Sequence, residues 1–276
     1  MSVWIETYRG AVPPWQCDVT EHFTVAYYFD RLEEAETTLS ENLGFTGRPR
    51  RINARFAREL RAGASFHIES AYLGATDNGL RLGHRVVDSA SHEVVTWFDE
   101  AWDPSPIPTI PADRIAAWNG PVAEERADAP TTAGALPTAR GRVKTADLDA
   151  AGQFSLGGMV HRFSNASGQF GNAIGMDSAY MTKNRRGFST FELILTLSGA
   201  ARLDSSYLVE TAIALLGNSS LRMIHRMTDP RTGAEIARLS QYGVNLDLDA
   251  RRPARWPEEI RARASNSDFS FPSAAV

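Results

Sequence analysis

Apolar residues at Val25, Tyr28, Leu32, Ala35, Leu39 and Leu43 step by three or four along the chain, which places them on one face of a helix. Gly44 follows as a helix-ending residue. At the rise of an α-helix, a segment from about 24 to 43 spans roughly 30 Å, long enough to lie across a sheet. The stretch before it, "VPPWQC" (12–17), reads as a strand. After it come the short runs "INARFAREL", "FHIESAYL", "LRLGHRVV" and "VVTWFDEAW", separated by "RAGAS", "GATDNG" and "DSASHE". Short β-prone runs with turn signals between them predict consecutive antiparallel strands.

The same pattern occurs twice. "VPPWQCDVTEHFTVAYYFDRLEEAETTLSENLGF" aligns without a gap on "VKTADLDAAGQFSLGGMVHRFSNASGQFGNAIGM", pairing Val12 with Val143, Asp18 with Asp149, Phe23 with Phe154, Arg31 with Arg162, Ala35 with Ala166 and Gly44 with Gly175. After a longer loop the match resumes between "ESAYLGATDNGLRLGHRVVD" (69–88) and "ETAIALLGNSSLRMIHRMTD" (210–229). Two blocks matching in the same order indicate a duplicated unit. In the second copy "FSTFELILTL", "YLVETAIAL", "LRMIHRM" and "EIARLSQYGVNL" repeat the strand series. Each copy closes on a short helix candidate, "IPADRIAAW" and "WPEEIRARA".

The expected fold class is therefore α+β, two tandem hotdog domains, each a long helix wrapped by an antiparallel β-sheet. The boundaries fall at 1–118 for the first domain, 119–139 for a linker rich in Ala, Pro, Thr and Gly, 140–264 for the second domain and 265–276 for a frayed tail. Two such units in one chain can pair as two subunits do in a dimer, and exposed sheet edges make a homo-oligomer the expected assembly.

Composition narrows the function. The 276 residues carry a formal net charge of -4 with 43% hydrophobic residues, and no Lys/Arg run is present, so nucleic acid is not an expected partner. One cysteine excludes an intrachain disulfide framework and a cysteine-based zinc cluster. No stretch approaches the roughly 20 apolar residues that span a bilayer. "MSVWIETYRG" does not read as a signal peptide, so a cytoplasmic location without membrane association is expected. The sequence has no His pair at helical spacing with a carboxylate, no P-loop and no GxGxxG, which leaves no metal or cofactor expected.

Asp18 and His22 stand at the mouth of the first helix, and Asp149 stands at the matching place in the second copy. Asp18 could simply close the turn, with Thr20 or Thr24 as the helix cap. However, "CDVTEHFTVAYYFDRLEE" resembles the signature of hotdog thioesterases related to 4-hydroxybenzoyl-CoA thioesterase. That signature is an Asp, three residues, a His usually preceded by Gly, a Tyr six residues on, and a Glu in the helix. These fall on Asp18, His22, Tyr28 and Glu33, with Glu21 in place of the usual Gly. The second copy keeps Asp149 and has Gly152, but carries Gln153, Met159 and Ser164 at the other places. Tandem forms of this kind also resemble the betainyl-CoA thioesterases.

The resemblance implies hydrolysis of an acyl-CoA thioester to free acid and CoA. Asp18 would be the base or nucleophile, with His22 shaping the pocket, and Asp149 would be its counterpart; of the two, Asp18 is expected to do the work. Unpaired N–H groups at the helix mouth suit the developing oxyanion. Thr24, Tyr28, Glu33, Gly152 and Gln153 are the implied substrate-binding residues, Glu33 reaching a site only from the neighbouring half. Tyr28 also lies on the apolar stripe, where core packing is its plain explanation. Arg85 and Arg226, at equivalent strand positions, are candidates for the coenzyme A phosphates, as are the apparent loops "GRPRR" (47–51) and "KNRRG" (183–187). His84 and His225 beside them read as part of a polar, solvent-facing strand face. Two other functions fit the same fold: hydration or dehydration of acyl thioesters, with His22 and Glu33 as the acid–base pair, and non-catalytic acyl-CoA binding.

Overall fold

A computed structural model describes residues 3–18, 20–76, 79–122 and 135–265. They fall into two compact units. The first holds the described residues of 1–124 together with 155–160 and 194–197; the second holds those of 125–154, 161–193 and 198–276.

In the first unit, strand β1 (Ile5–Ala11) leads through a 3-10 turn at Pro14–Gln16 into helix α1 (Val25–Leu43), followed by β2 (Thr46–Phe56), β3 (Ser65–Thr76), β4 (Gly79–Asp88) and β5 (Val94–Ser105). The strands are antiparallel in the order β1-β3-β4-β5-β2. The α1 stripe is buried as its spacing predicts: Tyr28, Leu32, Ala35 and Leu39 are enclosed, with Phe29 beside them. Gly44 ends the helix at φ 74°, a left-handed conformation that glycine adopts without a side-chain clash. Leu39, Phe45, Tyr72, Leu80, Leu82 and Trp102 form one apolar cluster at this end.

The second copy of the pattern, whose residues 155–160 and 194–197 fall in the first unit, repeats the plan with β6 (Leu136–Arg142), helix α2 (Leu156–Ile174), a short helix α3 (Ser178–Lys183) in the longer loop, β7 (Arg186–Leu197), β8 (Ser206–Leu216), β9 (Ser220–Thr228), β10 (Glu235–Asp247), β11 (Arg252–Pro253) and helix α4 (Glu258–Ser265). Its strand order, β6-β8-β9-β10-β7, is that of the first unit copy for copy. Register agrees as well: Gly10 faces Phe66 where Gly141 faces Tyr207, and the bulge between Glu6 and Tyr8 returns between Pro137 and Ala139. Phe170, Ile174, Leu221, Met223, Trp256 and Ile260 make its core cluster. Each unit is thus a hotdog, and the fold class is the expected tandem.

A buried polar row crosses each sheet and reaches the helix. In the first unit the Thr7 and Ser70 hydroxyls lie 2.6 Å apart, Ser70 Oγ lies 2.6 Å from His84 Nδ1, and His84 Nε2 lies 3.2 Å from Glu100 Oε2. Trp102 Nε1 donates to that same Glu100 oxygen at 2.6 Å. Burial, then the neighbouring Glu100 carboxylate, push Glu36 of α1 well above the ordinary carboxylate range. In the second unit the row is Thr138, Thr211, His225 and Gln241, at 2.7, 2.8 and 3.2 Å, with Ser167 of α2 donating to Gln241 Oε1. Gln241 and Ser167 replace Glu100 and Glu36 at matching positions, so the second row keeps the bonds without the carboxylates.

Several local expectations are corrected. His84 and His225 are fully enclosed, not solvent-facing, because they belong to the polar row. "VPPWQC" is not a strand: Pro13 and Pro14 have no N–H to donate to a ladder, and the strand lies upstream at Ile5–Ala11. "GRPRR" lies within β2 rather than a loop, and Arg186 and Gly187 of "KNRRG" begin β7. "IPADRIAAW" makes only a 3-10 turn at Ala112–Arg114, while its counterpart forms α4. Of the expected linker, 123–134 lies outside the described residues, as does the expected tail from 266. Leu136 and Thr138, inside the same stretch, belong to β6 and are buried.

Burial lowers the His225 pKa to about 4, with Gln241 opposing weakly. An unfolded histidine titrates at about 6.5. Between these values the unfolded chain binds a proton that the folded one refuses, so stability is full above pH 6.5 and is lost as pH falls through about 4. The loss is about 3 kcal/mol. Urea unfolding across that window should show this slope in the wild type and a flatter one in His225→Gln.

Candidate active site

Asp18 and Asp149 sit in the same loop geometry. Asp18 N–H donates to the His22 carbonyl at 2.8 Å and Glu21 N–H to the Asp18 carbonyl at 3.0 Å; Asp149–Gln153 and Gly152–Asp149 repeat both bonds at the same distances. The tight turn needs a left-handed residue at its third step, supplied by Glu21 at φ 64° and Gly152 at φ 72°. Only the second copy places there the glycine that this conformation favours. Asp18 Oδ1 accepts from Thr20 N–H at 2.8 Å, Thr20 Oγ1 at 2.6 Å and His22 N–H at 3.1 Å. Asp149 Oδ1 accepts from Gln153 N–H at 2.8 Å. Both carboxylates thus help to hold the loop that leads into a helix.

The first loop brings Asp18, Thr20 and His22 together. Thr20 Oγ1 lies 2.8 Å from His22 Nδ1, and His22 Nε2 lies 3.1 Å from Glu59 Oε2. His22 is thus paired with Glu59 on the loop after β2. Thr24 is the N-cap residue of α1 but caps it without a side-chain bond. Tyr28 is core: its ring meets Phe23 at 4.6 Å and Phe56 at 5.4 Å, and its hydroxyl accepts from Leu60 N–H at 3.3 Å. Arg85 and Arg226 point from the sheet face opposite their buried histidine neighbours. Arg85 pairs with Glu69 at 2.5 Å and lies 4.6 Å over Trp4, while Arg226 lies 3.9 Å from Glu210.

Glu33 is at a second place, the mouth of α2. Its Oε1 accepts from the N–H of Leu156, the first residue of that helix, at 3.1 Å. Ser155 Oγ accepts from Gly158 N–H at 3.0 Å. Asp30, one helical turn before Glu33 on α1, lies against Gly157: a β-carbon on Gly157 would collide with Asp30 Oδ1 and stand 3.2 Å from Asp30 N. Ser155 through Val160 belong to the first unit, as α1 does. Burial raises the Asp30 pKa to about 6, helped by Glu34 and opposed by Arg31. One carboxylate thus meets a helix N-terminal N–H, and another is poised to hold or release a proton near neutral pH. The first N–H groups of a helix have no partner within it and carry partial positive charge. A carbonyl oxygen placed there would be polarised, with Asp30 in position to take a proton from water.

Asp30, Ser155 and Gly157 were not singled out from sequence. Two signals point to them. "AYYFDRL" sets a carboxylate inside an apolar helical turn. "SLGGM" opens a helix with two glycines, each costing about 1 kcal/mol relative to alanine, a cost that makes sense where another group must approach the backbone.

Comparison with known proteins agrees with this architecture. Residues 143–264 match the thioesterase-like superfamily. An acyl-ACP thioesterase from Bacteroides thetaiotaomicron has a similar structure, with TM-score 0.67 at 10% identity, covering 88% of this chain and 100% of that one. A 12:0-ACP thioesterase from Umbellularia californica gives TM-score 0.61 at 11% identity over 88% and 95% of the two chains. At these identities the likeness is one of fold. A comparison with curated proteins gives no match.

Gly157→Ala should destabilise the chain by about 1–3 kcal/mol through overpacking against Asp30. Denaturant unfolding of Gly157→Ala in wild-type and Asp30→Ala backgrounds checks this. The cost should shrink when the carboxylate is gone, and an equal cost in both would show that the glycine answers to something else.

Proposed function

We propose that the chain hydrolyses acyl thioesters at the mouth of α2, with acyl-CoA as the substrate class. The observation that carries this reading is Asp30, a half-buried carboxylate with its pKa pushed up to about 6, lying against Gly157 at a helix N-terminus. The match of residues 143–264 to the thioesterase-like superfamily supports the reaction class, thioester hydrolysis.

In this mechanism the thioester carbonyl oxygen takes the place at the helix mouth where Glu33 now accepts from Leu156 N–H. The N–H groups of Leu156 and Gly157 then face the oxygen on which charge develops. Asp30 accepts a proton from water as the water oxygen bonds to the carbonyl carbon. The tetrahedral intermediate collapses with cleavage of the C–S bond, and the proton on Asp30 passes to the departing thiolate, giving free acid and free thiol. Asp18 and Asp149 hold the loops that lead into the two helices. A hydratase reading needs His22 to work with Glu33; the ring of His22 is instead directed to Glu59. The ACP thioesterases of the same fold favour a second carrier, so acyl-ACP belongs in the test.

Free thiol release should be followed over short, branched, aromatic and betainyl-CoAs and a lauroyl-ACP. Asp30→Asn should lower kcat about 100-fold or more, the usual scale of a general base. Asp30 must be unprotonated to act, so kcat/KM for wild type should climb with pH through about 6. Asp18→Asn and Asp149→Asn should lower stability more than the chemical step. Absence of thiol release by wild type on every substrate would overturn thioester hydrolysis, and a full loss in Asp18→Asn alone would move the chemistry to the first helix mouth.

A further inference from the structure

The second unit has an open cleft of about 640 Å³ between β6 and α2, lined by Ala139 and Arg140 on the strand, Arg162, Asn165, Gln169 and Asn172 on the helix, and Tyr207 on β8. The first unit explains why it exists. There Tyr8, the counterpart of Ala139, fills the space. Its ring stacks on Phe66 at 5.6 Å, Arg31 lies 5.7 Å above it, and its hydroxyl rests against Gly10. In the second unit Arg162 is kept, and Tyr207 stands where Phe66 stood, its hydroxyl resting against Gly141, the counterpart of Gly10. One ring of a stacked pair has been replaced by the methyl group of Ala139, Tyr207 reaches over Gly141 as Tyr8 reaches over Gly10, and Ala139 and Tyr207 both line the cleft.

The rim has changed in the same direction. Glu33, Glu34 and Glu41 of α1 correspond to Ser164, Asn165 and Asn172 of α2, so three carboxylates give way to a hydroxyl and two amides. Thr37 and Thr38 become Gly168 and Gln169. Arg162 is held by Asp147 at 2.6 Å, and Arg140 stands exposed at the margin. In the first unit the counterpart of Arg140, Arg9, is paired at the surface with Glu6 at 2.5 Å; Pro137 takes the place of Glu6 in the second copy. Fewer acidic groups, an exposed guanidinium and a missing ring together describe a complementary ligand.

We propose that this cleft binds a small planar anion, an aromatic or heteroaromatic ring carrying a carboxylate or phosphate. The ring takes the space vacated at Ala139. Arg140 meets the charge, and Asn165, Gln169 and Asn172 offer donors and acceptors to the ring's polar edge. The site is separate from the α2 mouth and does not depend on the reaction assigned there.

Titration calorimetry on the full chain with benzoate and adenosine monophosphate tests the two sources of such an anion, with adenosine and inorganic phosphate as probes lacking charge or ring. At least one ring anion should bind in the millimolar range or tighter, about tenfold tighter than both incomplete probes. Gly168→Thr restores the residue of the first unit at a position where an added Cβ meets nothing within 4 Å. The double variant Ala139→Tyr/Tyr207→Phe restores its stacked pair. Each should weaken binding about tenfold or more while leaving thioester turnover unchanged, and Arg140→Ala should abolish the preference for the anion over adenosine. Failure of both ring anions to bind, equal binding of phosphate alone, or undiminished binding in Gly168→Thr would each overturn the proposal.

Discussion

The enclosed imidazole of His84 can keep both ring nitrogens bonded only while Ser70 stands on one side of it and Glu100 on the other. His225 places the same demand on Thr211 and Gln241. Each requirement spans three adjacent strands and ends on the long helix, through Glu36 or Ser167. A slip of one residue would turn Arg85 or Arg226 inward and leave a buried imidazole unpaired, at a cost of several kcal/mol. The polar row therefore pins sheet register and helix position together. The loops that lead into the helices, and the carboxylates that α1 carries, inherit their positions from it.

The hydrophobic spacing of α1, the strand series and the duplication were legible because each rests on local periodicity or on self-comparison. Gly44, at φ 74°, was legible as a helix-ending residue, whereas the left-handed turn at Glu21 and Gly152 emerged only from the structure. What escaped was set by partners distant in sequence. His84 looks like a surface histidine next to Arg85, and only strand pairing reveals that it faces Ser70 and Glu100. Asp30 looks like the polar side of an amphipathic helix until the first turn of α2, far along the chain, comes to lie against it. The Asp18 loop was conspicuous for the opposite reason, since its bonds run within five residues and leave a compact sequence mark.

The duplication also shows where the two copies have parted. Their buried frames differ conservatively, with carboxylates exchanged for amide or hydroxyl groups that keep the same bonds. The helix mouths differ in kind. Leu156 and Gly157 of α2 correspond to Val25 and Ala26 of α1, and Gly158 corresponds to Tyr27, so only α2 opens with bare backbone. Conversely, Asp30 and Glu33 of α1 correspond to His161 and Ser164 of α2, so only α1 carries the carboxylates. His161 is held below its ordinary range by burial and by Arg162, so near neutral pH it is an uncharged imidazole rather than a substitute carboxylate.

Such an exchange is what specialisation of one site would require. In the proposed mechanism the glycines at the α2 mouth give a carbonyl access to the N–H groups once Glu33 yields its place, and Asp30 supplies the base. Neither feature is of use for hydrolysis without the other. In a homodimer every substitution acts in both subunits, whereas in this chain one helix carries the glycines and the other the carboxylates. The glycines on α2 carry a helix-propensity cost of about 1 kcal/mol each, and raising Asp30 to about 6 means enclosing a carboxylate that prefers water. Both costs fall at a single place, where Asp30 lies against Gly157, and stability alone gives no reason for them to coincide. The proposed site at the α2 mouth is thus also a place where the two copies differ most in side-chain chemistry.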